Sequence, residues 1–284
     1  VLGIPCAAFL RPAITRLLSH INLRNHRQIL VVAGVVGFTG GLNVSAHHWL
    51  GLHPVAPAHC LHFEVRGPVV TDMQRTFATD WAFTTRERLH GTPWFAPPVS
   101  SGPVLARGVA DGPDADIGNM RQVILGALAA ARHTVCIVTP YFLPDEVVLS
   151  TLQTTALRGV EVDIVLPARS NLPLLDWAMR PQCDELLAAG CRIHLSPAPF
   201  DHGKLFVVDR AWALIGSTNW DARSLRLNFE YNLECYDEGL VGTLQPLIDA
   251  RITQATRLDA ATLARQRLPV RLRNRLVWLL SPYL

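Results

Sequence analysis

Along residues 117–256 the apolar positions switch repeatedly between two periods. Thr134–Thr139 reads as a strand from its β-branched content. Pro144–Arg158 carries helical spacing and meets Gly159, a helix stop. Val160–Leu166 reads as a strand, and Leu174–Ala189 as a helix stopped by Gly190. Arg192–Leu195, Leu205–Val208, Trp212–Ile215 and Phe229–Cys235 follow as strands. Alternating helix and strand predicts an α/β layered fold. Upstream, Ile29–Val44 is the most apolar stretch, but Gly34, Gly37, Gly40, Gly41, Thr39 and Asn43 interrupt it. That pattern suits strands joined by a turn, and no run of 18 apolar residues predicts a membrane-spanning helix.

The two regions are related. His26-Arg-Gln-Ile-Leu-Val-Val-Ala33 matches His202-Gly-Lys-Leu-Phe-Val-Val-Asp209, and Gly40-Gly41-Leu-Asn43 matches Gly216-Ser217-Thr-Asn219. The offset is 176 residues at every matched position, without a gap. Repetition of this kind predicts two like units. The organisation read from it is a first unit over 1–90, a linker over 91–116 rich in Pro and Gly, a second unit over 117–256, and a helical tail over 257–284. Far fewer residues precede His26 than precede His202 within its unit, so the first unit is expected to be truncated at its amino end. In the tail, PVRLRNRLVWLLSPYL interleaves arginine with apolar residues. It suits an anionic membrane surface or an ordinary terminal helix docked on the body.

Composition narrows the class. The 284 residues are 49 % hydrophobic and only 17 % charged, which excludes a disordered chain. Six scattered cysteines with no C-x-x-C pair exclude a disulfide scaffold and a cysteine zinc site. A net charge of +3 and no basic, aromatic stripe give no reason to expect nucleic acid as partner. His47, His48, His53, His59, Cys60 and His62 crowd together without clean ligand spacing, and read as loop histidines rather than a metal site. Tyr141, Phe142 and Trp177 suit either core or a lipid entrance. The oligomeric state is open.

The chemistry centres on His202. Residues two apart on a strand share a face, so His202 and Lys204 point together. A histidine is a nucleophile or proton shuttle near neutral pH, and Lys204, the one lysine in the chain, supplies positive charge for phosphate oxygens. Ser217 and Asn219 add neutral donors, and Glu230 is placed to hold the second ring nitrogen of His202. Asp209, at an odd spacing, reads as a structural support.

The stretch DHGKLFVVDRAWALIGSTNWDARSLRLNFEYNLECYD resembles the phospholipase D superfamily, and within it the bacterial cardiolipin synthases. The resemblance continues through IVTPYFLPDEVVL, VDIVLPARSNLPLLDWA, LRNHRQILVVAGVVGFTGGLNV, HFEVRGPVV and DWAFTT, and ends with SPYL. It implies two α/β/α sandwich units packed face to face around one site, with His202, Lys204 and Asp209 as the motif residues. It implies a phosphatidyl group moved between phosphatidylglycerol molecules through a phosphohistidine. His26 and His202 share the roles of nucleophile and acid/base, with Glu230 in support. Lys204, Ser217, Asn219 and Asn43 bind phosphate, with no metal or cofactor. It further implies work at the cytoplasmic face of a bacterial inner membrane. Hydrolysis of lipid or nucleic acid by the same chemistry, and lipid binding without turnover, stay open as alternatives.

The first unit departs from the family pattern. Gln28 stands at the lysine position, Ala33 at the aspartate position, Ala46 or His47 at an acidic position, and Cys60 where relatives carry an aspartate. Losing one charge-assisted phosphate contact costs about 1.5–3 kcal/mol, which is roughly ten- to a hundred-fold in rate.

Overall fold

The structure is a computed structural model that describes residues 3–10 and 22–281. In chain order the first region holds β1 (Arg24–Asn25), β2 (Ile29–Val32), β3 (Val36–Gly40), β4 (Ala58–His59), β5 (His62–Arg66) and helix α1 (Val70–Thr85). Then come β6 (Leu105–Asp111), α2 (Asn119–Ala130), β7 (Thr134–Val138), β8 (Phe142–Leu143), α3 (Glu146–Leu157), β9 (Glu161–Pro167), α4 (Pro173–Ala188) and β10 (Arg192–Ser196). The remainder is β11 (Phe200–Asp201), β12 (Leu205–Val208), β13 (Trp212–Gly216), β14 (Trp220–Asp221), β15 (Asn228–Tyr236), α5 (Glu238–Gln254), β16 (Thr256–Arg257), α6 (Ala260–Ala264) and α7 (Leu268–Trp278).

A mixed sheet of nine strands forms the centre, in the order β1-β15-β13-β12-β7-β9-β10-β16, with β6 also on β15. Strands β7, β9 and β10 are parallel, while β12 runs antiparallel to β7 and β13. All four residues of β12 are buried because both faces of the sheet are covered. Phe206 and Val208 face a core with Ile124, Leu128, Leu152 and Leu186 of α2, α3 and α4. Leu205 and Val207 face the opposite core, with Leu244 and Ile248 of α5 and with Ile29, Val31, Phe63 and Val65 of the first region. This period of two is why an unbroken apolar run marks a central strand. Asp145 caps α3, accepting from the Val147 and Val148 amides at 3.0 Å.

The sequence repeat is a structural repeat. The hairpin β2–β3 pairs Ile29 with Thr39, and β12–β13 pairs Leu205 with Ile215, at the same offset. The turns match as well: Ala33 and Asp209 both have φ of 52°. After the hairpin the offset shortens by six residues. Gly40 pairs with His62, whereas Gly216 pairs with Asn232. The two units exchange short parallel pairings, β1 with β15 and β11 with β4. The His26 amide donates to the Phe229 carbonyl at 2.8 Å, and the His202 amide donates to the His59 carbonyl at 2.6 Å.

Two expectations are corrected. The Pro- and Gly-rich segment 91–116 is not linker throughout, because Leu105–Asp111 is a strand paired over seven residues with β15. The prolines thin out after Pro103, and the alternation of Leu-Ala-Arg-Gly-Val-Ala-Asp is hidden when the whole segment is averaged. The first unit does not form a sandwich of its own among the described residues. It contributes a three-stranded sheet, β2-β3-β5, with Leu30 and Val32 exposed on its outer face. The tail forms α6 and α7, and α7 lies on α4 with the Arg273 guanidinium 4.0 Å from the Trp177 ring centroid. Pro282–Leu284 of the tail lies outside the described residues.

Candidate active site

His202 and Lys204 stand at the amino end of β12, which is the carboxyl end of its antiparallel neighbour β7. Ligand sites of open α/β sheets lie at that edge. The strand alternation aims both side chains at one place, and the Lys204 Nζ lies 3.2 Å from each ring nitrogen of His202. It also donates to the His202 carbonyl at 3.1 Å. The His202 Nδ1 is 2.7 Å from the Gly41 carbonyl. A carbonyl only accepts, so Nδ1 carries the proton and Nε2 keeps its lone pair.

Glu230 is not the partner of His202. Both of its oxygens lie 2.9 Å from Nδ1 of His26, across the unit boundary. The swapped pairings place each unit's third strand beside the other unit's histidine, which spacing along one unit does not reveal. The register puts Cys60, two residues before His62, where Glu230 stands two before Asn232. The mirror of the His26–Glu230 dyad therefore has a thiol in place of the carboxylate, and His202 turns to the Gly41 carbonyl. Position 41 has to be glycine, since a Cβ there would run into the His202 carbonyl oxygen.

The other expected site residues divide. Ser217 donates to Glu230 at 2.5 Å and is fully buried, so its hydroxyl supports the carboxylate and is not free for phosphate. Asn228 donates to the same carboxylate at 3.2 Å. Asn219 donates to the Ser224 hydroxyl at 3.2 Å, and its buried carbonyl oxygen has no protein partner. Asn43 accepts from the Gln28 amide. Asp209 is at the far end of β12, roughly 17 Å from Lys204 by strand rise. Its carboxylate accepts from the amides of Arg132, His133 and Thr134 at 2.8, 2.7 and 2.8 Å. It ties a turn to the start of β7 and takes no part in the site.

Burial sets the electrostatics. Lys204 is almost inaccessible, and burial first of all pulls its pKa down to about 7 against the raising influence of Glu230 and Asp221. Burial, then Lys204, drives His202 down to about 3, with the Gly41 carbonyl opposing and His48 and His26 adding smaller pushes. Its ring stays neutral at pH 7, with Nε2 able to attack phosphorus or take a proton.

Several neighbours carry no clear signal in the sequence. Asp201 accepts from the Gly203 amide at 2.8 Å and from Arg251 of α5 at 2.6 Å, fixing the backbone just before His202. Asp221, raised to about 6 by burial, accepts from the Ser224 amide. His48 stands edge-on to His202, ring centroids 5.5 Å apart. The one sequence signal for the two aspartates is their place inside the long motif stretch. Of the aromatics, Tyr141 lies 6.1 Å edge-on to His202 and donates to Asn171 at 2.7 Å. Phe142 is fully buried against Trp220, and Trp177 lies under Arg273. Among the described residues no three His, Cys, Asp or Glu converge as a metal site, and no helix is long and apolar enough to cross a membrane.

Comparison with known proteins agrees with this geometry. Residues 124–251 match the family described as "Cardiolipin synthase, PLD-like domain". Cardiolipin synthase of Oceanobacillus iheyensis is 33 % identical over 265 residues, 93 % of this chain and 55 % of that protein. Cardiolipin synthase A of Pseudomonas aeruginosa PAO1 is 36 % identical over 236 residues, 83 % of this chain and 48 % of that protein. The chain thus spans about half the length of the curated relatives it matches. The crystal structure of phosphatidylserine synthase from Haemophilus influenzae Rd KW20 shares the fold at a TM-score of 0.69 and 15 % identity, over 92 % of this chain and 71 % of that one.

Proposed function

We propose that this chain, whose residues 124–251 are a phospholipase D-like domain of the cardiolipin synthase kind, carries out phosphatidyl transfer. The observation that carries the reading is the cross-unit site: His26 on Glu230, facing His202 on Lys204. One histidine attacks the phosphorus of phosphatidylglycerol through Nε2, and the bond to glycerol breaks. The other histidine gives the leaving oxygen its proton. It then takes the proton of a hydroxyl from a second phosphatidylglycerol, whose oxygen displaces the histidine. The P–N bond breaks, and cardiolipin leaves. Lys204, buried and cationic below about pH 7, neutralises the phosphoryl oxygens. Charge spread over phosphoryl oxygens is what such a preorganised cation stabilises. The substrate places the work at a lipid surface, and we place that at the cytoplasmic face of a bacterial inner membrane.

A weakened form of this activity has its own support. Gln28 and Cys60 leave the first unit without its cation and without the carboxylate for His202. The deciding experiment is lipid mass spectrometry after incubation with phosphatidylglycerol vesicles, beside His202→Ala. Cardiolipin and glycerol from the parent alone are the expected result. Phosphatidic acid instead would mean that water is the acceptor. No product from the parent would overturn the transfer reading for this chain.

A further inference from the structure

Two segments leave the two hairpins at matching points and take opposite courses. In the second unit, the residues after β13 up to β15 turn inward. Ser217, Thr218, Asn219, Trp220, Asp221 and Leu225 are all buried. In the first unit, the corresponding residues between β3 and β4 are six longer, and they turn outward. They form two short 3-10 turns, Ala46–His48 and Leu50–Leu52. Trp49 is 65 % exposed, Leu52 is 60 % exposed, and Val44 and Val55 are fully exposed. Bare apolar side chains at this density mark an interaction site.

Three observations indicate what covers them. The loop adjoins the catalytic pair, since His48 between Ala46 and Trp49 stands against His202. It contains no carboxylate: no Asp or Glu occurs before Glu64 in the chain. A tryptophan beside leucines and valines, without acids, is the composition of a segment that sits at a headgroup boundary. His202 is only 6 % exposed, so a lipid phosphodiester has to come close beside His48 and this loop to reach it.

We propose that Leu42–Val55 is an interfacial loop that inserts Trp49, Leu50 and Leu52 into the surface of an anionic phospholipid bilayer. It rests on the phosphatidyl-transfer reading for the choice of lipid, but its test does not require turnover. The parent, Trp49→Ser/Leu52→Ser, Trp49→Phe and His202→Ala are floated with phosphatidylglycerol–phosphatidylcholine vesicles and with phosphatidylcholine alone. The parent and His202→Ala are expected to bind the anionic vesicles, and the double variant to bind at least about tenfold more weakly. Lipids brominated in the upper acyl chain are expected to quench parent fluorescence, and Trp49→Phe to lose that quenching while still binding. Circular dichroism of the double variant checks that the exposed substitutions leave the fold intact.

Undiminished binding by the folded double variant would overturn the proposal. So would quenching that survives Trp49→Phe, or self-association through the loop without vesicle binding. Binding and quenching without cardiolipin formation would leave the loop standing and remove the transfer reading. Cardiolipin formation at the parental rate by the double variant on vesicles would do the reverse.

Discussion

Replacing Glu230 by glutamine tests the cross-unit dyad with almost no change of shape. The carboxylate is completely inaccessible and takes three donors: His26 Nδ1 at 2.9 Å, Ser217 Oγ at 2.5 Å and Asn228 Nδ2 at 3.2 Å. In the proposed transfer, positive charge develops on the His26 ring whether it attacks phosphorus or holds the proton, and the anion would steady that charge. Losing a charge-assisted hydrogen bond removes about 1.5–3 kcal/mol, roughly ten- to a hundred-fold in rate. A second effect adds to this. The amide that replaces the carboxylate offers one acceptor oxygen where three donors converge, so its NH2 opposes at least one of them. If it faces His26, Nδ1 becomes the acceptor and Nε2 takes the proton, which stops Nε2 from attacking; a wrong tautomer in a related dyad costs about 10⁴-fold. The expected fall in kcat for cardiolipin formation is therefore between about 10² and 10⁴, with KM little changed because Glu230 is fully buried behind His26, Ser217 and Asn228. Glu230→Asp, which keeps the charge at a shorter reach, should recover part of it. Histidine side-chain ¹⁵N spectra of Glu230→Gln should change at His26 and not at His202. A kcat within about threefold of the parent, or a ¹⁵N change confined to His202, would rule out a working His26–Glu230 dyad.

The other predictions concern charge. Lys204 loses its proton near pH 7, so kcat/KM for an anionic phosphodiester should fall as pH rises through that value, and Lys204→Arg should flatten the alkaline limb; a parental profile level to about pH 9 contradicts it. Because the folded pKa of Lys204 lies below the ordinary lysine value of 10.5, the unfolded chain binds more protons between about 7 and 10.5, and this group makes stability rise with pH there, as urea midpoints across the window would show. Asp209→Asn should leave kcat unchanged per folded molecule while lowering stability by about 1 kcal/mol at pH 7, since solvent screens part of what the three amides give the carboxylate. Burial opposes the low pKa of Asp209, but the Thr134, His133 and Arg132 amides prevail, so its contribution is present above the ordinary carboxylate range and fades as pH falls through the lowered value. Parent and variant should then converge in acid denaturation. Finally, Gln28→Lys and Cys60→Asp together should raise transfer by about ten- to a hundred-fold in the lipid mass assay, and no gain would show that neither position limits the rate.

What can be read from the sequence follows from how local each feature is. Eight of the second unit's strands and helices are legible to within one or two residues, because β12 and its neighbours are buried on both faces and α3 and α4 end at Gly159 and Gly190, whereas α2 and α5 are not read from the sequence. The strand Leu105–Asp111 is not, since its pairing with β15 is distant in sequence and its surroundings are rich in proline. His202 and Lys204 need only the alternation of one strand to be placed together. The partner of Glu230 needs the exchange of β1 and β4 between units, which no spacing within a unit encodes. The nearness of His48 to His202 depends on the course of a six-residue insertion with no periodicity of its own.

The repeat also separates the first unit's departures by what each can matter to. Asp209 caps the amides that open β7, and β7 lies beside β12. Ala33 occupies the same left-handed turn, but β2 is an edge strand of its sheet among the described residues, with no such neighbour. Position 33, like Asp209, sits at the hairpin turn and at the opposite end of its strand from the site histidine, so the loss of a carboxylate there bears on the turn. Gln28 and Cys60 differ in kind. Position 28 mirrors Lys204, and position 60 mirrors Glu230, both of which contact a site histidine directly. The asymmetry of the site therefore reduces to two absent charges, one positive and one negative. His26 keeps its anion and loses its neighbouring cation; His202 keeps its cation and loses its anion. Each histidine retains the half of the machinery that the other lacks, and a phosphoryl group bound between them would still meet one complete set.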